Sequence, residues 1–234
     1  MNRFLVFLIS FFLCNNSIMA QNSLDFLQNS LNLDFELWGV YGESGYTLPY
    51  VWYAGGGGKG AGFSRPDVAG YKVFLDKHEK FSRRYSLKME MFDDWSKESF
   101  GVFTGSLPIE TFAGKNVEYR GWIKTTDVKN GYAGLWVRVD GKKRMFSKVN
   151  SVLGFDNMNN RGLKGDNEWT QVTIKMKVSE KATQINFGGL FTGEGTAWFD
   201  ALELYIDGEK YVDYEPLVTE ILPTGEQIII TGGD

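Results

Sequence analysis

Two short runs set an indole beside a guanidinium. In residues 133–140 a period of two puts Ala133, Leu135, Val137 and Val139 on one face, and Gly134, Trp136, Arg138 and Asp140 on the other. In residues 117–124 the outward set is Glu118, Arg120, Trp122 and Lys124, so the pairing recurs. A flat ring stacks on the C–H face of a sugar, and a guanidinium offers a fork of N–H donors to hydroxyls or carboxylates. Asp156, Asn157 and Arg161 follow on a loop expected to cross the same face, and they add planar groups able to grip hydroxyls in pairs. Each has a plainer reading. Trp122 and Trp136 could pack on the sheet beneath a long loop, since tryptophan is mostly buried, and Asp156-Asn157 could simply fix a turn. If the two runs are neighbours in one sheet, the repeated pair forms one shared surface.

Hydrolytic chemistry has little to draw on. The only histidine, His78, lies in the charged connection Asp76-Lys77-His78-Glu79-Lys80, where a solvated turn residue is the ordinary reading. The only cysteine is Cys14, and there is no His/Cys cluster with metal-ligand spacing. Nothing singles out a pair among the 29 Asp and Glu for glycoside hydrolysis. No catalytic residue is assigned, and the chain reads as a non-enzyme.

The elements that must position these side chains are strands. Candidates fall at residues 31–38, 70–75, 84–92, 100–106, 116–125, 133–140, 170–178, 184–191 and 196–206, with a longer loop around 141–169. Turns rich in Gly, Asn, Asp and Ser separate most of them, and no helical period intervenes, which points to an antiparallel sandwich or barrel. Val172, Ile174, Met176 and Val178 alternate with Thr173, Lys175 and Lys177, giving one dry face and one wet one. Residues 39–70 read as a long connection centred on Ala54-Gly55-Gly56-Gly57-Gly58-Lys59-Gly60. Gly60 follows Lys59 where a phosphate-cradling loop needs Ser or Thr, so the nucleotide reading fails. Either a mobile binding loop or a lid over the core remains.

Of 234 residues, 43% are hydrophobic and 23% charged, with 28 Gly, 15% aromatics and a net charge of −4. That composition is globular and rich in strand formers, and its sign disfavours nucleic acid or an anionic membrane surface as partner. Residues 1–20 read as a signal peptide: Arg3, an apolar run over residues 4–13 too short to span a bilayer, then Ser17-Ile18-Met19-Ala20. The chain is therefore expected to be exported to a periplasmic, cell-surface or secreted location, after a polar lead-in at 21–30. Bulky Leu13 before Cys14 argues against lipid attachment. Residues 207–234 form an extension, read as an extra strand or a linker.

The ordered series Leu33-Asp34-Phe35-Glu36, Phe81-Ser82-Arg83-Arg84-Tyr85-Ser86-Leu87, Arg120-Gly121-Trp122-Ile123-Lys124-Thr125, Glu168-Trp169-Thr170 and Thr196-Ala197-Trp198-Phe199-Asp200 resembles the jelly-roll carbohydrate-binding modules of galactose-binding-like fold. The resemblance covers residues 31–206. Its centre, with Leu135-Trp136-Val137-Arg138, Phe155-Asp156-Asn157-Met158 and Arg161-Gly162, is similar to modules attached to secreted bacterial hydrolases and peptidases. It implies an all-β antiparallel sandwich of jelly-roll type that binds an oligo- or polysaccharide on a concave face without catalysis. A protein-interaction or accessory module of a secreted or cell-surface hydrolase system is the alternative. It also implies one structural calcium held by Glu36, Asp200 and carbonyls of the 81–87 turn, although Arg83 stands where Gly is usual and Ala201 where a second Asp is common.

Overall fold

A computed structural model describes residues 30–41, 46–57, 62–63, 67–68, 70–92, 99–143, 149–213, 217–221 and 227–230. The signal-peptide reading and residues 21–29 of the lead-in lie outside them, as do residues 58–60 of the glycine-rich run. The chain forms two compact units, Leu31–Val212 and a second built from Met1–Ser30 with Asp213–Asp234. In the second unit a hairpin pairs Leu217–Ile221 with Gln227–Ile230.

Within Leu31–Val212 the strands are β1 (Trp38–Tyr41), β2 (Tyr46–Pro49), β3 (Tyr53–Gly57), β4 (Gly62–Phe63), β5 (Asp67–Val68), β6 (Tyr71–Asp76), β7 (Ser86–Met91), β8 (Phe100–Ser106), β9 (Asn116–Lys143), β10 (Asn150–Asp156), β11 (Leu163–Lys177), β12 (Ala182–Ile206) and β13 (Glu209–Lys210). One short helix, α1 (Ile109–Phe112), precedes β9. Every strand pairing is antiparallel.

β9 and β12 run along each other for nearly their whole length and belong to both layers. The early half of β12 pairs with the late half of β9 and with β8, whereas its late half pairs with the early half of β9 and with β7. The first layer is thus β10–β9–β12–β8–β3–β4, and the second is β11–β9–β12–β7–β6–β5. The fold-over sits where register slips between Thr192, Glu194 and Thr196. Gly193 and Gly195 have φ of +88° and +105°, and a Cβ there would stand 2.2 Å from the Lys129 oxygen and 2.5 Å from the Asp127 oxygen. Only glycine fits such positions. Tyr71 donates its hydroxyl to the Gly193 carbonyl at 2.8 Å and closes the corner from inside.

Rings from opposite layers meet edge to face in the core: Tyr119 with Phe187, Phe103 with Phe199 and Tyr71 with Phe191, their centroids 5.1 to 5.4 Å apart. This is a β-sandwich, as the strand spacing predicts.

Three expectations need correction. Residues 31–37 are not a strand, because Asn32 and Phe35 sit at positive φ and the Asn32 side chain bridges Leu37 and Tyr50. Leu31, Leu33, Phe35 and Leu37 are buried, but so are Asn32 and Glu36 between them, so the alternation found the apolar positions and not a wet face. The glycine-rich segment is in part a strand, with β3 laddered onto β8 from Tyr53 to Gly57. The long loop around 141–169 contains β10 and the start of β11.

Candidate functional site

The outer face of the first layer carries a groove of about 800 Å³. Its lining follows from strand register. One row across the sheet reads Phe155, Arg138, Asn186, Ser106, the next Trp136, Gly188, Thr104, Tyr53, and the last Tyr132, Thr192, Phe100, Gly57. Leu190 and Val102 lie between as apolar floor.

Trp136 crosses this floor half-buried. Its indole N–H donates to the Phe103 carbonyl on β8 at 3.4 Å, reaching across Gly188 of β12, which stands between Trp136 and Thr104 in the row. A Cβ on Gly188 would stand 1.9 Å from that same carbonyl oxygen, so the glycine keeps the passage open. On the far side the Phe100 ring lies over Gly57, where a Cβ would come within 2.2 Å of it. Bare backbone in β3 therefore seats an aromatic wall.

Arg138 grips Asp140, two residues along the same face, through Nε at 2.9 and 3.1 Å and Nη2 at 3.0 Å. The Asp140 side chain is only 6% exposed and that of Arg138 is 40% exposed. Asn186 Oδ1 accepts from Ser106 Oγ at 3.1 Å and from Gln184 Nε2 at 3.3 Å. Among the described residues Arg138 Nη1 and Asn186 Nδ2 have no partner, and both residues line the groove.

Asp156 and Arg161 pair with each other in two bonds of 3.0 and 2.7 Å. Asp156 also accepts from the Met158 N–H, and Asn157 from the Asn159 N–H, which is the turn-fixing role. Desolvation opposes ionisation of Asp156, yet the Arg161 guanidinium and the Met158 N–H hold its carboxyl below the usual range. The turn folds back over β9, packing Met158 above Gly134 and offering its sulfur to the Leu135 N–H at 3.3 Å. Of the three polar residues expected on this loop, Asn157 lines the groove. Burial, helped by the Asp156 charge, pushes the Tyr132 hydroxyl up, so that group remains a neutral donor.

Arg120 and Trp122 are not in this groove. They lie on the early half of β9, on the outer face of the second layer, and the bend turns them away from Trp136 and Arg138. Arg120 bonds Glu118 at 2.7 Å and stacks over Tyr205 at 4.1 Å, while Trp122 stacks on Phe81 at 4.0 Å. The expected shared surface is therefore replaced by two separate faces of one strand. Trp169 and Trp198 anchor connections instead, donating to Glu79 at 3.1 Å and Asp76 at 2.9 Å.

Glu36 and Asp200 both face the 81–85 turn and accept hydrogen bonds from it. Glu36 accepts the backbone N–H groups of Arg84 and Tyr85 at 2.8 and 3.1 Å and pairs with Arg84 Nε at 2.8 Å. Asp200 accepts the N–H groups of Phe81 and Ser82 at 2.8 Å each, that of Ala201 at 2.6 Å and the Ser82 hydroxyl at 3.1 Å. Calcium takes oxygen ligands, and here the turn presents hydrogens and a guanidinium. Among the described residues no cluster of three or more His, Cys, Asp or Glu could hold a metal. This donor set does not fit calcium.

Tyr53, which flanks the glycine-rich run, lines the groove, and sequence reasoning missed Phe100, Tyr132, Phe155, Gln184 and Asn186. The alternation of Gln184 and Asn186 with Ile185 and Phe187 could have found the last two.

No protein-family model matches the chain. A curated relative, an uncharacterized HTH-type transcriptional regulator, YbfP of Bacillus subtilis (strain 168), is 33% identical over 114 residues, 49% of this chain and 36% of its own length. The chain thus spans about a third of that relative. Among the described residues the single helix is four residues long, so a helix–turn–helix has no counterpart there. The enzymatically active domain of tailspike protein 4 from bacteriophage CBA120 aligns with a TM-score of 0.50 at 10% identity, over 76% of this chain and 21% of that one. The xylan-binding CBM22-1 domain of Paenibacillus barcinonensis Xyn10C aligns with a TM-score of 0.42 at 14% identity, over 76% and 92% of the two chains. What this chain shares with the tailspike domain is a fold, and the chain's own is an antiparallel β-sandwich.

Proposed function

We propose that the chain is a non-catalytic binding module and that the groove on its first layer takes a carbohydrate. The observation that carries this reading is the half-buried Trp136. Its N–H is tied to the Phe103 carbonyl, and the ring lines the groove, where an indole can stack on a ligand. Sugars present apolar C–H faces to such rings, and their hydroxyls accept from unpaired donors, here Arg138 Nη1 and Asn186 Nδ2. Arg138 is held by Asp140 and Asn186 by Ser106 and Gln184, so these donors are fixed before a ligand arrives, which reduces the entropy lost on binding. Export through residues 1–20 belongs to the same proposal, since a signal peptide would deliver the module to cell-wall or extracellular polysaccharide.

Affinity electrophoresis or calorimetry against soluble and cell-wall polysaccharides tests it. Trp136→Ala should remove binding while the thermal midpoint stays close to that of the parent. A variant that binds as before would refute the groove assignment. One feature favours a second reading, a protein-interaction or accessory module: Tyr53 and Phe155 at the rim are 61% and 55% exposed, as aromatic anchors of a protein contact are. Capture of one protein partner, lost in Tyr53→Ala with no glycan bound by the parent, would select that reading.

A further inference from the structure

Of the sixteen described residues that line the groove, only Arg138 and Asp140 carry charge, and they are paired with each other. Arg138 gives Nε to both Asp140 oxygens, at 2.9 and 3.1 Å, and Nη2 to Oδ1 at 3.0 Å. The Asp140 side chain is 6% exposed, so water does little for the anion and the guanidinium is committed to it. The rest of the polar lining is hydroxyl and amide, Ser106, Asn157, Gln184 and Asn186 among it, over the apolar floor of Val102 and Leu190. Lys142 and Lys143 follow on β9, exposed, and neither lines the groove.

We propose that Asp140 is a specificity-determining residue: by cancelling the Arg138 charge it sets the groove for uncharged glycans and against polymers bearing carboxylate or sulfate. This rests on the carbohydrate reading of the groove and narrows it. A ligand carboxylate entering here gives up water over an apolar floor, which is costly unless a cation replaces that water. The one cation in the lining already faces Asp140, whose own charge lies 2.9 Å from Nε and repels a second anion. A sugar hydroxyl meets neither obstacle. It accepts from Arg138 Nη1 or Asn186 Nδ2 and brings no charge to desolvate. Charged polymers are thus rejected by an unfavourable contact built into the site, while neutral ones lose nothing by it.

The same pairing sets the response to salt. Attraction between exposed charges is screened as ionic strength rises, whereas stacking and hydroxyl contacts are not, so a neutral ligand in a neutral groove should bind almost independently of salt.

Calorimetry of the full chain against pairs of polymers tests it: hydroxyethylcellulose with carboxymethylcellulose, methyl-esterified pectin with polygalacturonate, arabinoxylan with glucuronoxylan, and dextran with dextran sulfate. Trp136→Ala serves as the blank, so that attraction of a polyanion to Lys142 and Lys143 is not counted. The parent should bind the uncharged member of at least one pair, and the charged member roughly tenfold more weakly or worse. Affinity for the uncharged member should hold from low salt to about 1 M. Asp140→Asn leaves the Arg138 charge uncancelled, so it should narrow the gap within the pair and make binding of the charged member fall as salt rises. Circular dichroism reports whether that variant folds. If it does not, Gln184→Lys, which adds a cation opposite Asp140 on β12, should have the same effect. A parent that binds the charged member as tightly as its partner overturns the proposal and leaves the carbohydrate reading standing, as does a gap that the folded variant fails to narrow. Binding of none of these polymers overturns both.

Discussion

Tyr119 buries its hydroxyl completely between the layers, and among the described residues that oxygen has no hydrogen-bond partner. Burial pushes its ionisation far up, so the group is a neutral, desolvated hydroxyl. A buried polar atom left unpaired costs about 1–3 kcal/mol. Tyr119→Phe keeps the ring packed on Phe187 and removes only that oxygen, so it should raise the urea midpoint or leave it unchanged. A fall of the midpoint would mean that the hydroxyl is bonded after all. Arg138 is the opposite case, because it neutralises a carboxylate that hardly meets solvent. Arg138→Met should cost about 1–3 kcal/mol, towards the lower end because the guanidinium is itself partly solvated. Adding Asp140→Asn should recover part of that loss, which a double-mutant cycle in urea measures.

At the scale of elements the fold depends on one corner, where β9 and β12 pass from one layer to the other. Gly193→Ala would set a Cβ 2.2 Å from a backbone oxygen at a φ that side chains avoid. A cost of about 1–3 kcal/mol or more is expected from strain of this kind, with loss of the Tyr71 clamp. Denaturant unfolding of Gly193→Ala beside Gly165→Ala separates strain from clash, since Gly165 also has positive φ but open space around it. The same corner explains what could be read from the sequence and what could not. Alternation located β8 to the residue and gave both halves of β9 and β12, because a side chain that is dry or wet records its layer. It could not show that 116–125 and 133–140 are one strand bent through glycine, so Arg120 and Trp122 were grouped with Trp136 and Arg138. Their local chemistry is the same, and only the bend places them on opposite outer faces. β3 was missed for a related reason: Gly55, Gly56 and Gly57 carry no hydrophobic period, although their bare backbone is what admits the Phe100 ring.

Taken whole, the sandwich is closed at the 81–85 turn by two acids from distant parts of the chain, and ion and pH responses of the molecule should come from there. With Arg84 paired to Glu36, millimolar calcium and a chelator should give the same thermal midpoint; an upward shift in calcium would show an ion binding the native state. Asp200 sets the pH response. Burial pushes its carboxyl up to about 6, against the pull of the Ser82, Ala201 and Phe81 N–H groups. A folded value above the ordinary one means that the protonated carboxyl is the form that folding favours. The stability linked to it is fully present below about pH 4 and is lost as pH rises through about 6, up to about 3 kcal/mol in all. Other carboxyls, Asp76 and Asp156 among them, are held low and act in the opposite sense, so the parent curve alone cannot isolate this group. Subtracting the curve of Asp200→Asn removes them, since both proteins share them. The difference, parent minus variant, should fall between pH 4 and 6.5 in urea titrations. A difference that rises over that window would show that the four donors around the carboxylate outweigh its burial, and that Asp200 holds the turn as an anion.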